Sequence, residues 1–598
     1  MPEAPLRVWA PRAARVDAVC RVDAGAPVER AMDRQAEGWW AVQAPGDPRA
    51  QLDYAFRIDG GPPLPDPRSA WQPEGIHGFS RRVDPAGFAW TDGGWPGPRR
   101  GGGVLGALHY ELHVGTFTGP GTLDAAAARL GHLVDLGVEV VSLMPVAAFP
   151  GRWGWGYDGV HAYAVHHAYG GPHALVRFVD AAHRLGLGVG LDVVYNHVGP
   201  VGNYLGEFGP YFCDRHTTAW GPALNLDGSH GAQVRRWVLD NAARWFRDFH
   251  VDELRLDAVH ALPPGTGGSL LARLADETAA LGTALGRPLA LVAESDLNDP
   301  ATVRPVAQGG LGMTAQWADD VHHAIHVALT GETEGYYADF ADPQALATAL
   351  GGVFFHDGRH SSFRGRPWGG RLDRASVDGR RFVVFLQSHD QVGNRALGDR
   401  ISATVTPGQQ AAGAALYLLG VGTPMVFMGE EWAAGTPWRF FTDFDPAEPA
   451  AAAVSAGRRA EFCRHGWPEE QIPDPQDPRT RQVSVLDWSE PARQPHARML
   501  RWYRDLVRLR RDEPDLRDGR LDRVQVTGGV EAGWLTVRRG RILVALTFAA
   551  DPRPLPLPPE ADGAEVVLAW DDRRVAEVTD SLTLGGHDVA VLRLAPTR

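Results

Sequence analysis

The middle of the chain alternates short apolar runs with longer segments of helical periodicity. Runs rich in Val, Ile, Leu and aromatic residues predict buried strands, whereas apolar residues three and four positions apart predict amphipathic helices. The predicted strands lie in ALHYELHV, VEVVSLMPV, LGVGLDVVYNHV, VDELRLDAV, LALVAES, GMTAQW, RFVVFLQSHD and GTPMVFMGEE. Strands that alternate with helices form parallel βαβ units, so we predict a closed (β/α)8 TIM barrel over residues 104–512, with a loop insertion near 198–225.

The two ends of the chain have a different pattern. Short alternating runs such as RVWAP and WWAVQAP, broken by Gly and Pro, predict a small immunoglobulin-like β-sandwich over residues 1–95. In residues 518–598, the stretch WLTVRRGRILVALTF predicts a hairpin, and further short strands follow it. We therefore predict a multidomain protein whose central barrel is flanked by N-terminal and C-terminal β-sandwich domains.

Composition narrows the class of partner. The chain has 59 Lys and Arg residues against 72 Asp and Glu residues, a formal net charge of −13. An acidic surface repels polyanions, which argues against nucleic acid and anionic membranes as partners. Three widely separated cysteines, Cys20, Cys213 and Cys463, suit a reducing compartment. With neither an N-terminal apolar segment nor an apolar run of ~18 residues, we expect a cytoplasmic protein.

The stretch DELRLDAVH carries charge inside an otherwise apolar strand. Side chains alternate along a strand, so Arg255 and Asp257 share a face with Glu253, opposite Leu254 and Leu256. A solvated ion pair on a half-exposed strand would explain this stretch alone. A barrel changes the interpretation, because the active sites of such barrels lie at the carboxyl ends of the strands.

Other predicted strands also end in polar side chains. These are Asp192, Asn196 and His197 after the third strand, Arg255 and Asp257 at the fourth, Glu294 at the fifth, Asp319 and Asp320 at the sixth, His389 and Asp390 at the seventh, and Glu430 and Glu431 at the eighth. Acids, arginine and histidine at six of the eight ends indicate an active site on one rim of the barrel.

Two carboxyl groups in different protonation states are what glycosidic-bond hydrolysis requires. Arg255 lies beside Asp257 and favours its ionised form, while Glu294 ends the apolar stretch LALVAE, where desolvation raises a carboxyl pKa. Metal-assisted hydrolysis is the rival chemistry, and WADDVHH could supply ligands, but a guanidinium next to the key carboxylate disfavours a metal. We predict no catalytic metal and no cofactor; a structural calcium or magnesium ion remains an open alternative.

Four segments resemble the ordered sequence motifs of the alpha-amylase family of glycoside hydrolases. They are DVVYNH (192–197), RLDAV (255–259), VAES (292–295) and QSHDQ (387–391), at the ends of strands three, four, five and seven. The resemblance implies that Asp257 is the nucleophile, Glu294 the acid/base and Asp390 the transition-state stabiliser. It further implies that the sugar in the −1 subsite is held by Arg255, His197, His389, Asp192 and Tyr157.

Longer segments are similar to the members of this family that release trehalose. These include YAFRIDGGPPLPDPRSAWQPEGIHG, WGYDGVHAYAVHHAYGGP, AQWADDVHHAIHVALTGE and SHDQVGNRALGDR. The resemblance implies hydrolysis of the α-1,4 bond next to the terminal trehalose of maltooligosyltrehalose, by a retaining double displacement. It also implies coupling to maltooligosyltrehalose synthase in trehalose biosynthesis. We expect a monomer.

Three alternative functions remain. Branching enzymes share the N-terminal module, although their pattern departs from DVVYNH and from SHDQVGN. A general alpha-amylase would use the same catalytic residues. A non-catalytic glucan-binding scaffold is disfavoured by the intact set of Asp257, Glu294 and Asp390.

Specificity for trehalose has to come from the leaving-group side of the scissile bond. Every family member binds a similar glucose at −1, so the catalytic carboxyl groups cannot encode the leaving disaccharide. We predict that the strand ends on that side include WADDVHH, with Asp319, Asp320 and His323, and the segment MGEEW (428–432), with Trp432 as a stacking face. His260, Gln391 and Asn394 are further predicted substrate-binding residues.

Overall fold

The computed structural model describes residues 5–47, 50–218, 221–263, 265–464, 467–571, 578 and 581–595. Eight parallel strands in its middle form a closed barrel with the neighbour order β2-β3-β4-β5-β6-β7-β8-β1. They are β1 (His109–Leu112), β2 (Val140–Leu143), β3 (Gly188–Val193), β4 (Glu253–Leu256), β5 (Ala290–Ala293), β6 (Ala315–Trp317), β7 (Phe382–Phe385) and β8 (Thr423–Phe427). Each lies within one of the predicted apolar runs, so the predicted barrel is confirmed.

Helices connect the barrel strands. They are α1 (Leu123–Ala127), α2 (Leu130–Leu136), α3 (Gly171–Arg184), α4 (Gly231–Asp248), α5 (Thr266–Leu285), α6 (Asp319–Thr330), α7 (Ala345–Gly352), α8 (His389–Gly393), α9 (Pro407–Leu418), α10 (Pro449–Arg464) and α11 (His496–Asp512). Shorter helical turns span Pro98–Gly101, Val114–Phe117, Leu205–Phe208 and Pro478–Gln482. Helix α3 is amphipathic, as its sequence predicts, since Leu175, Phe178 and Ala182 recur at helical spacing and are all buried. No helix in the described part of the chain has the length and apolar character needed to cross a membrane.

The N-terminal region forms two antiparallel sheets. The first contains, in spatial order, Leu6–Trp9, Trp39–Val42 and Asp33–Arg34. The second contains Val28–Ala31, Val16–Val22, Leu52–Ile58 and Pro63–Leu64, and Ser80–Arg81 also pairs with Leu52–Ile58. Buried residues on these strands, including Trp9, Val16 and Phe56, form the core of this region.

The C-terminal region also consists of antiparallel strands. Its main sheet contains, in spatial order, Val524–Gly529, Trp534–Arg539, Ile542–Thr547, Val589–Arg593 and Glu565–Ala569. A second sheet pairs Arg553–Pro556 with Ser581–Leu584. Trp534 pairs with Thr547 across the first turn, which confirms the predicted hairpin.

Three further two-stranded ladders lie between the barrel elements. They pair Ala147–Ala148 with His161–Val165, Phe212–Thr218 with Gly221–Leu224, and His360–Ser361 with Arg366–Pro367. The second ladder and the helical turn Leu205–Phe208 fall within the stretch 198–225, where the sequence predicts an inserted loop.

The polar face of β4 points into the barrel rather than to solvent. Glu253 and Arg255 are 3% and 5% exposed. Glu253 Oε2 lies 2.9 Å from Nε2 of His109, which is on β1, across the barrel interior from β4. Gly190 leaves room for this carboxylate, because a Cβ there would come within 2.9 Å of Glu253 Oε1. Burial lowers the pKa of His109, but the Glu253 carboxylate outweighs burial and leaves that pKa above its ordinary value.

We expect His109→Gln to lower the thermal unfolding midpoint by several degrees. The substitution leaves the Glu253 carboxylate buried without a cation, a change that costs ~3–5 kcal/mol for a buried pair. Calorimetry of the full-length variant measures this shift, with the exposed His360 changed to Gln as the matched control. The double variant with Glu253→Gln should recover much of the loss, since the amide removes the buried charge. Equal unfolding midpoints for His109→Gln and His360→Gln would contradict a stabilising ion pair between His109 and Glu253.

Candidate active site

Arg255 is the centre of a cluster of carboxylates at the carboxyl ends of β3, β4 and β5. Its Nη1 lies 2.5 Å from Asp192 Oδ2 and 3.1 Å from Asp257 Oδ1, and its Nη2 lies 3.1 Å from Glu294 Oε2. Asp192 and Arg255 are register partners on adjacent parallel strands, which explains why they meet. The guanidinium also packs 4.3 Å above the ring of Trp317. One cation therefore connects three carboxyl groups from three consecutive strands.

Asp257 follows directly after β4 and has donors on both carboxylate oxygens. Arg255 occupies Oδ1, and the Asn196 amide donates to Oδ2 at 2.8 Å and to the Asp257 carbonyl at 2.8 Å. The backbone N–H of Asp257 donates to the Val193 carbonyl at 3.0 Å. His197 Nδ1 lies 2.5 Å from Asn196 Oδ1 and holds that amide in place. These contacts restrict the Asp257 side chain to one direction.

Glu294 follows β5, and its surroundings favour the protonated form of its carboxyl group. Its Oε2 accepts from the Ala258 N–H at 2.6 Å, and its side chain is 17% exposed. Burial raises the pKa of Glu294 well above its ordinary value, and the nearby Asp257 and Asp390 carboxylates raise it further, against the opposing effect of Arg255. A protonated Glu294 beside Asp257 fits a general acid next to a nucleophile.

A hydrogen-bonded chain runs under the cluster from β1 to β3. Glu111 Oε1 lies 2.7 Å from His389 Nδ1, and Glu111 Oε2 accepts from the His389 N–H at 2.9 Å. His389 Nε2 lies 2.8 Å from the Tyr157 hydroxyl, which donates to Asp192 Oδ2 at 2.7 Å. Burial lowers the pKa of His389, but Asp390 and Glu111 outweigh burial and raise it to about 9. His389 is therefore a cation at neutral pH.

Asp390 lies in the first turn of α8. Ser388 and Gln391 form a capping box at this helix start, so the Gln391 side chain is tied to Ser388. The Asp390 carboxylate is the most open of the three predicted catalytic groups, with 40% of its side chain exposed. Its Oδ1 lies 3.5 Å from His389 Nε2 and accepts from Asn394 Nδ2 at 3.4 Å.

A cavity of about 250 Å³ opens beside Asp390. Its lining consists of Asp296, Asn298, Asp319, Asp320, His323, Tyr336, Phe340, His356, Phe363, Arg364, Asp390, Gln391 and Asn394. Tyr336 and Phe363 are 38% and 59% exposed, and their rings meet edge to face at 6.1 Å. Exposed aromatic faces next to carboxylates and a guanidinium are suited to a neutral sugar, which offers apolar ring faces and many hydroxyls.

Five predicted substrate-binding residues line this cavity: Asp319, Asp320, His323, Gln391 and Asn394. Burial raises the pKa of Asp319 to about 7 and lowers that of His323 to about 4. Asp320 Oδ2 already accepts from the backbone N–H groups of residues 355 and 356 and from the Asn298 amide, at 2.7 to 2.9 Å. Asp320 therefore also supports the cavity wall from behind.

Besides His389, two predicted histidines lie outside the lining of this cavity. His197 is buried, and its Nε2 lies 3.0 Å from the Tyr157 carbonyl, so its ring contacts connect Asn196 to Tyr157. His260 is exposed, with Nδ1 3.7 Å from Asp296 Oδ1.

The predicted stacking face at Trp432 is wrong. Its side chain is fully buried, and its indole N–H donates to Glu490 Oε2 at 3.1 Å. Its ring packs against His132 and Trp488. The segment after β8 forms a tight helical turn, Glu430–Trp432, that turns these side chains into the core between the barrel and α11.

Glu430 and Glu431 are not part of the rim either. Glu430 is 1% exposed and accepts hydrogen bonds from Tyr417, Tyr503 and Gln387. Glu431 is completely buried against Tyr110 and His132. The end of β8 is therefore a buried polar core. The strand β1, for which the sequence interpretation named no site residue, instead supplies the carboxylate of Glu111 that contacts His389.

Sequence reasoning missed Glu111 and the aromatic wall of the cavity. Glu111 had a usable signal, because His109, Glu111 and His113 alternate in HYELH as the charges do in DELRLD. Tyr336 and Phe363 had none, since Tyr336 lies in the short 3-10 helix Gly335–Ala341 and Phe363 in the turn between His360–Ser361 and Arg366–Pro367, and neither segment carries a periodic pattern. Within the described residues, no group of three or more His, Cys, Asp or Glu side chains is arranged to hold a metal ion.

Two protein-family models match parts of the chain. The alpha amylase catalytic domain matches residues 83–209, which include the first three barrel strands. A domain of unknown function, DUF3459, matches residues 519–591, which cover most of the C-terminal sheets.

Similarity to known proteins extends over nearly the whole chain. The malto-oligosyltrehalose trehalohydrolase of Arthrobacter ramosus is 51% identical over 98% of this chain and 99% of its own. The malto-oligosyltrehalose trehalohydrolase of Mycobacterium tuberculosis (strain CDC 1551 / Oshkosh) is 48% identical over 100% of both chains. A crystal structure from Salmonella typhimurium described as an alpha amylase is 36% identical, with a TM-score of 0.87, over 99% of this chain and 97% of its own.

Proposed function

The chain belongs to the malto-oligosyltrehalose trehalohydrolase family within the alpha-amylase glycoside hydrolases, and we propose that it hydrolyses the α-1,4 bond joining a maltooligosyl chain to a terminal trehalose. The products are trehalose and a maltooligosaccharide. The observation that carries this proposal is the contact of one guanidinium, Arg255, with Asp192, Asp257 and Glu294 beside a cavity with an aromatic wall.

The catalytic steps follow from the different environments of Asp257 and Glu294. Asp257 attacks the anomeric carbon of the −1 glucose while Glu294 donates its proton to the departing trehalose oxygen. A water then attacks the glycosyl–Asp257 ester as the Glu294 carboxylate takes its proton, which regenerates both groups. Asp390 stabilises the positive charge that develops on the sugar ring in both transition states.

The remaining residues of the cluster hold the sugar and the catalytic groups. Tyr157 presents its ring beside His389, at a centroid distance of 5.2 Å, and we assign this pair to the floor of the −1 subsite. Asp192 and the His389 cation face the same region and supply an acceptor and a donor for sugar hydroxyls. Arg255 keeps the three carboxyl groups at fixed mutual positions, which is the orientation that a two-step displacement requires.

We assign the cavity beside Asp390 to the leaving trehalose. Tyr336 and Phe363 offer ring faces, and Asp319, His323 and Arg364 offer polar contacts for sugar hydroxyls. A site built on such contacts rejects a disaccharide with a different linkage, because each buried polar group left unpaired costs ~1–3 kcal/mol.

The test is substrate preference. We expect kcat/KM for a trehalose-capped maltooligosaccharide to exceed that for a plain maltooligosaccharide of equal length by at least ~10²-fold. Trehalose should be the small product, measured by chromatography of timed samples. Equal rates on both substrates would indicate a general alpha-amylase. New α-1,6 branches in amylose would indicate a branching enzyme, and absence of turnover with retained glucan binding would indicate a scaffold.

The physiological setting is part of the proposal. A substrate with a terminal α,α-1,1 linkage has to come from an enzyme that rearranges the reducing end of a maltooligosaccharide, which is the reaction of maltooligosyltrehalose synthase. Cys20, Cys213 and Cys463 are all free thiols, which supports a reducing compartment such as the cytoplasm.

A further inference from the structure

An ion-pair cluster lies beside the cavity but outside its lining. Arg395 Nη1 and Nη2 donate to the two carboxylate oxygens of Glu332, each at 2.8 Å. Arg395 Nε donates to Asp399 Oδ2 at 2.7 Å, and Glu332 Oε2 lies 2.7 Å from His326 Nε2. The Arg395–Glu332 contact is bidentate, so it restricts both the distance and the relative orientation of the two side chains.

This ion pair joins two segments that both contribute residues to the cavity lining. Glu332 is the second residue of the stretch 331–341, called here the wall segment, which carries the cavity residue Tyr336. Arg395 follows α8, five residues after Asp390, whose carboxylate lines the same cavity. The bidentate contact therefore sets the spacing between the aromatic wall and the catalytic helix.

Packing carries this constraint from Glu332 to Tyr336. His326, which contacts the Glu332 carboxylate, stacks on Tyr337 with ring centroids 4.5 Å apart. The Tyr337 hydroxyl lies 2.9 Å from His322 Nε2, and the Tyr336 ring lies 4.5 Å from the Tyr337 ring. A change at Glu332 is transmitted to Tyr336 through these two ring contacts.

The Arg395–Glu332 pair should affect substrate positioning more than the stability of the fold. The Arg395 and Glu332 side chains are 27% and 30% exposed, so water screens the pair and its contribution to global stability is small. Binding geometry is more sensitive, because a shift of ~1 Å in a substrate-positioning group reduces rates by up to ~10²-fold. His326 and Arg395 hold the pKa of Glu332 below its ordinary value, so the pair stays charged at neutral pH.

We infer that Arg395 and Glu332 are positioning residues that set the width of the leaving-group cavity and thereby the selectivity for a trehalose leaving group. This inference rests on the proposed function. Neither residue touches substrate; they act through Tyr336 on one side and the Asp390 helix on the other.

The experiment compares two substrates that share the −1 glucose and differ in the leaving group. Trehalose-capped maltotetraose needs the cavity, whereas α-maltosyl fluoride releases only fluoride. For Glu332→Gln and Arg395→Lys we expect kcat/KM on the capped substrate to fall ~10-fold or more, mainly through KM. The rate on the fluoride should stay within ~2-fold of wild type, since its leaving group does not occupy the cavity. The inhibition constant for added trehalose should rise by the same factor as KM.

A second exposed bidentate pair provides the control. Arg177 donates to Asp124 at 2.8 Å and 2.7 Å on the outside of the barrel. The variant Asp124→Asn should leave kcat/KM unchanged on both substrates. The double variant Glu332→Gln, Arg395→Lys should lose no more than the worse single variant, because both remove one contact.

Each outcome has a defined meaning. Parallel losses on both substrates would show a general structural role and overturn the inference, as would unchanged KM for the capped substrate in both single variants. Wild-type protein that does not prefer the capped substrate over a plain chain would instead overturn the proposed function. Thermal midpoints within ~2 °C of wild type ensure that the comparison concerns folded protein.

Discussion

Asp257→Ala should reduce turnover of a trehalose-capped maltooligosaccharide by at least ~10⁴-fold, which is about 5.4 kcal/mol of transition-state stabilisation. The variant removes the group that would form the covalent intermediate, while Arg255 and Asn196 lose a shared acceptor. Single-turnover kinetics with an excess of enzyme over substrate measures the residual rate. Asp135, an exposed aspartate on α2, provides the matched control, and Asp135→Ala should behave as wild type.

Stereochemistry tests the same assignment independently. Wild-type protein should release the new reducing end as the α anomer, seen by proton NMR before mutarotation, because two displacements restore the configuration. With α-maltosyl fluoride and azide, Asp257→Ala should form the β-azide, since azide then attacks the α-configured substrate directly. A β anomer from the wild type, or an Asp257→Ala variant with a few per cent of normal activity, would exclude Asp257 as the nucleophile.

Glu294→Gln should reduce kcat/KM on the trehalose-capped substrate by ~10²–10⁴-fold, the range that a general acid contributes. The loss on α-maltosyl fluoride should be much smaller, because fluoride leaves without a proton. Added azide should restore turnover of the fluoride and give the α-azide, since azide attacks the intermediate in place of a deprotonated water. Glu470→Gln, at an exposed glutamate, is the control. Equal losses on the two substrates would contradict an acid role.

The pH dependence of the wild type follows from the same carboxyl group. Burial raises the pKa of Glu294, so its proton is retained above the range in which an ordinary glutamate loses it. The protonated form is the active one in the first step, so kcat/KM on the capped substrate should fall as pH rises through this raised pKa. The fall should be absent for α-maltosyl fluoride and for Glu294→Gln. A falling limb that persists in both cases would assign it to another group.

The sequence by itself determined the barrel architecture and was enough to predict that polar side chains from several strand ends meet. Strand and helix periodicities are local properties, so each of the eight apolar runs could be assigned without knowing its neighbours. The predicted catalytic carboxyl groups Asp257 and Glu294 follow strands directly, and parallel strands in a barrel bring their carboxyl ends to one rim. Local pattern plus that one rule is enough to predict that Arg255, Asp257 and Glu294 meet.

Only the tertiary structure decided which polar strand ends enter the site. Glu111 contacts His389 across 278 positions of sequence, because β1 closes the barrel next to β8. Glu430 and Trp432 follow β8 in the same way that Asp390 follows β7, yet a tight turn buries them. A strand end has the same sequence signature whether the chain that follows continues along the rim or folds back into the core.

The aromatic wall of the cavity beside Asp390 was also decided only by the tertiary structure, although several polar residues of the cavity lining could be predicted from the sequence. Tyr336 lies in a short 3-10 helix and Phe363 in the turn between two short strands, and the meeting of their rings depends on loop packing that no periodicity encodes. The Arg395–Glu332 pair joins residues 63 positions apart and becomes visible only once those loops are in place. Local hydrophobic pattern determines the elements of a barrel, whereas the packing of its loops determines the shape of the cavity beside the predicted catalytic carboxyl groups.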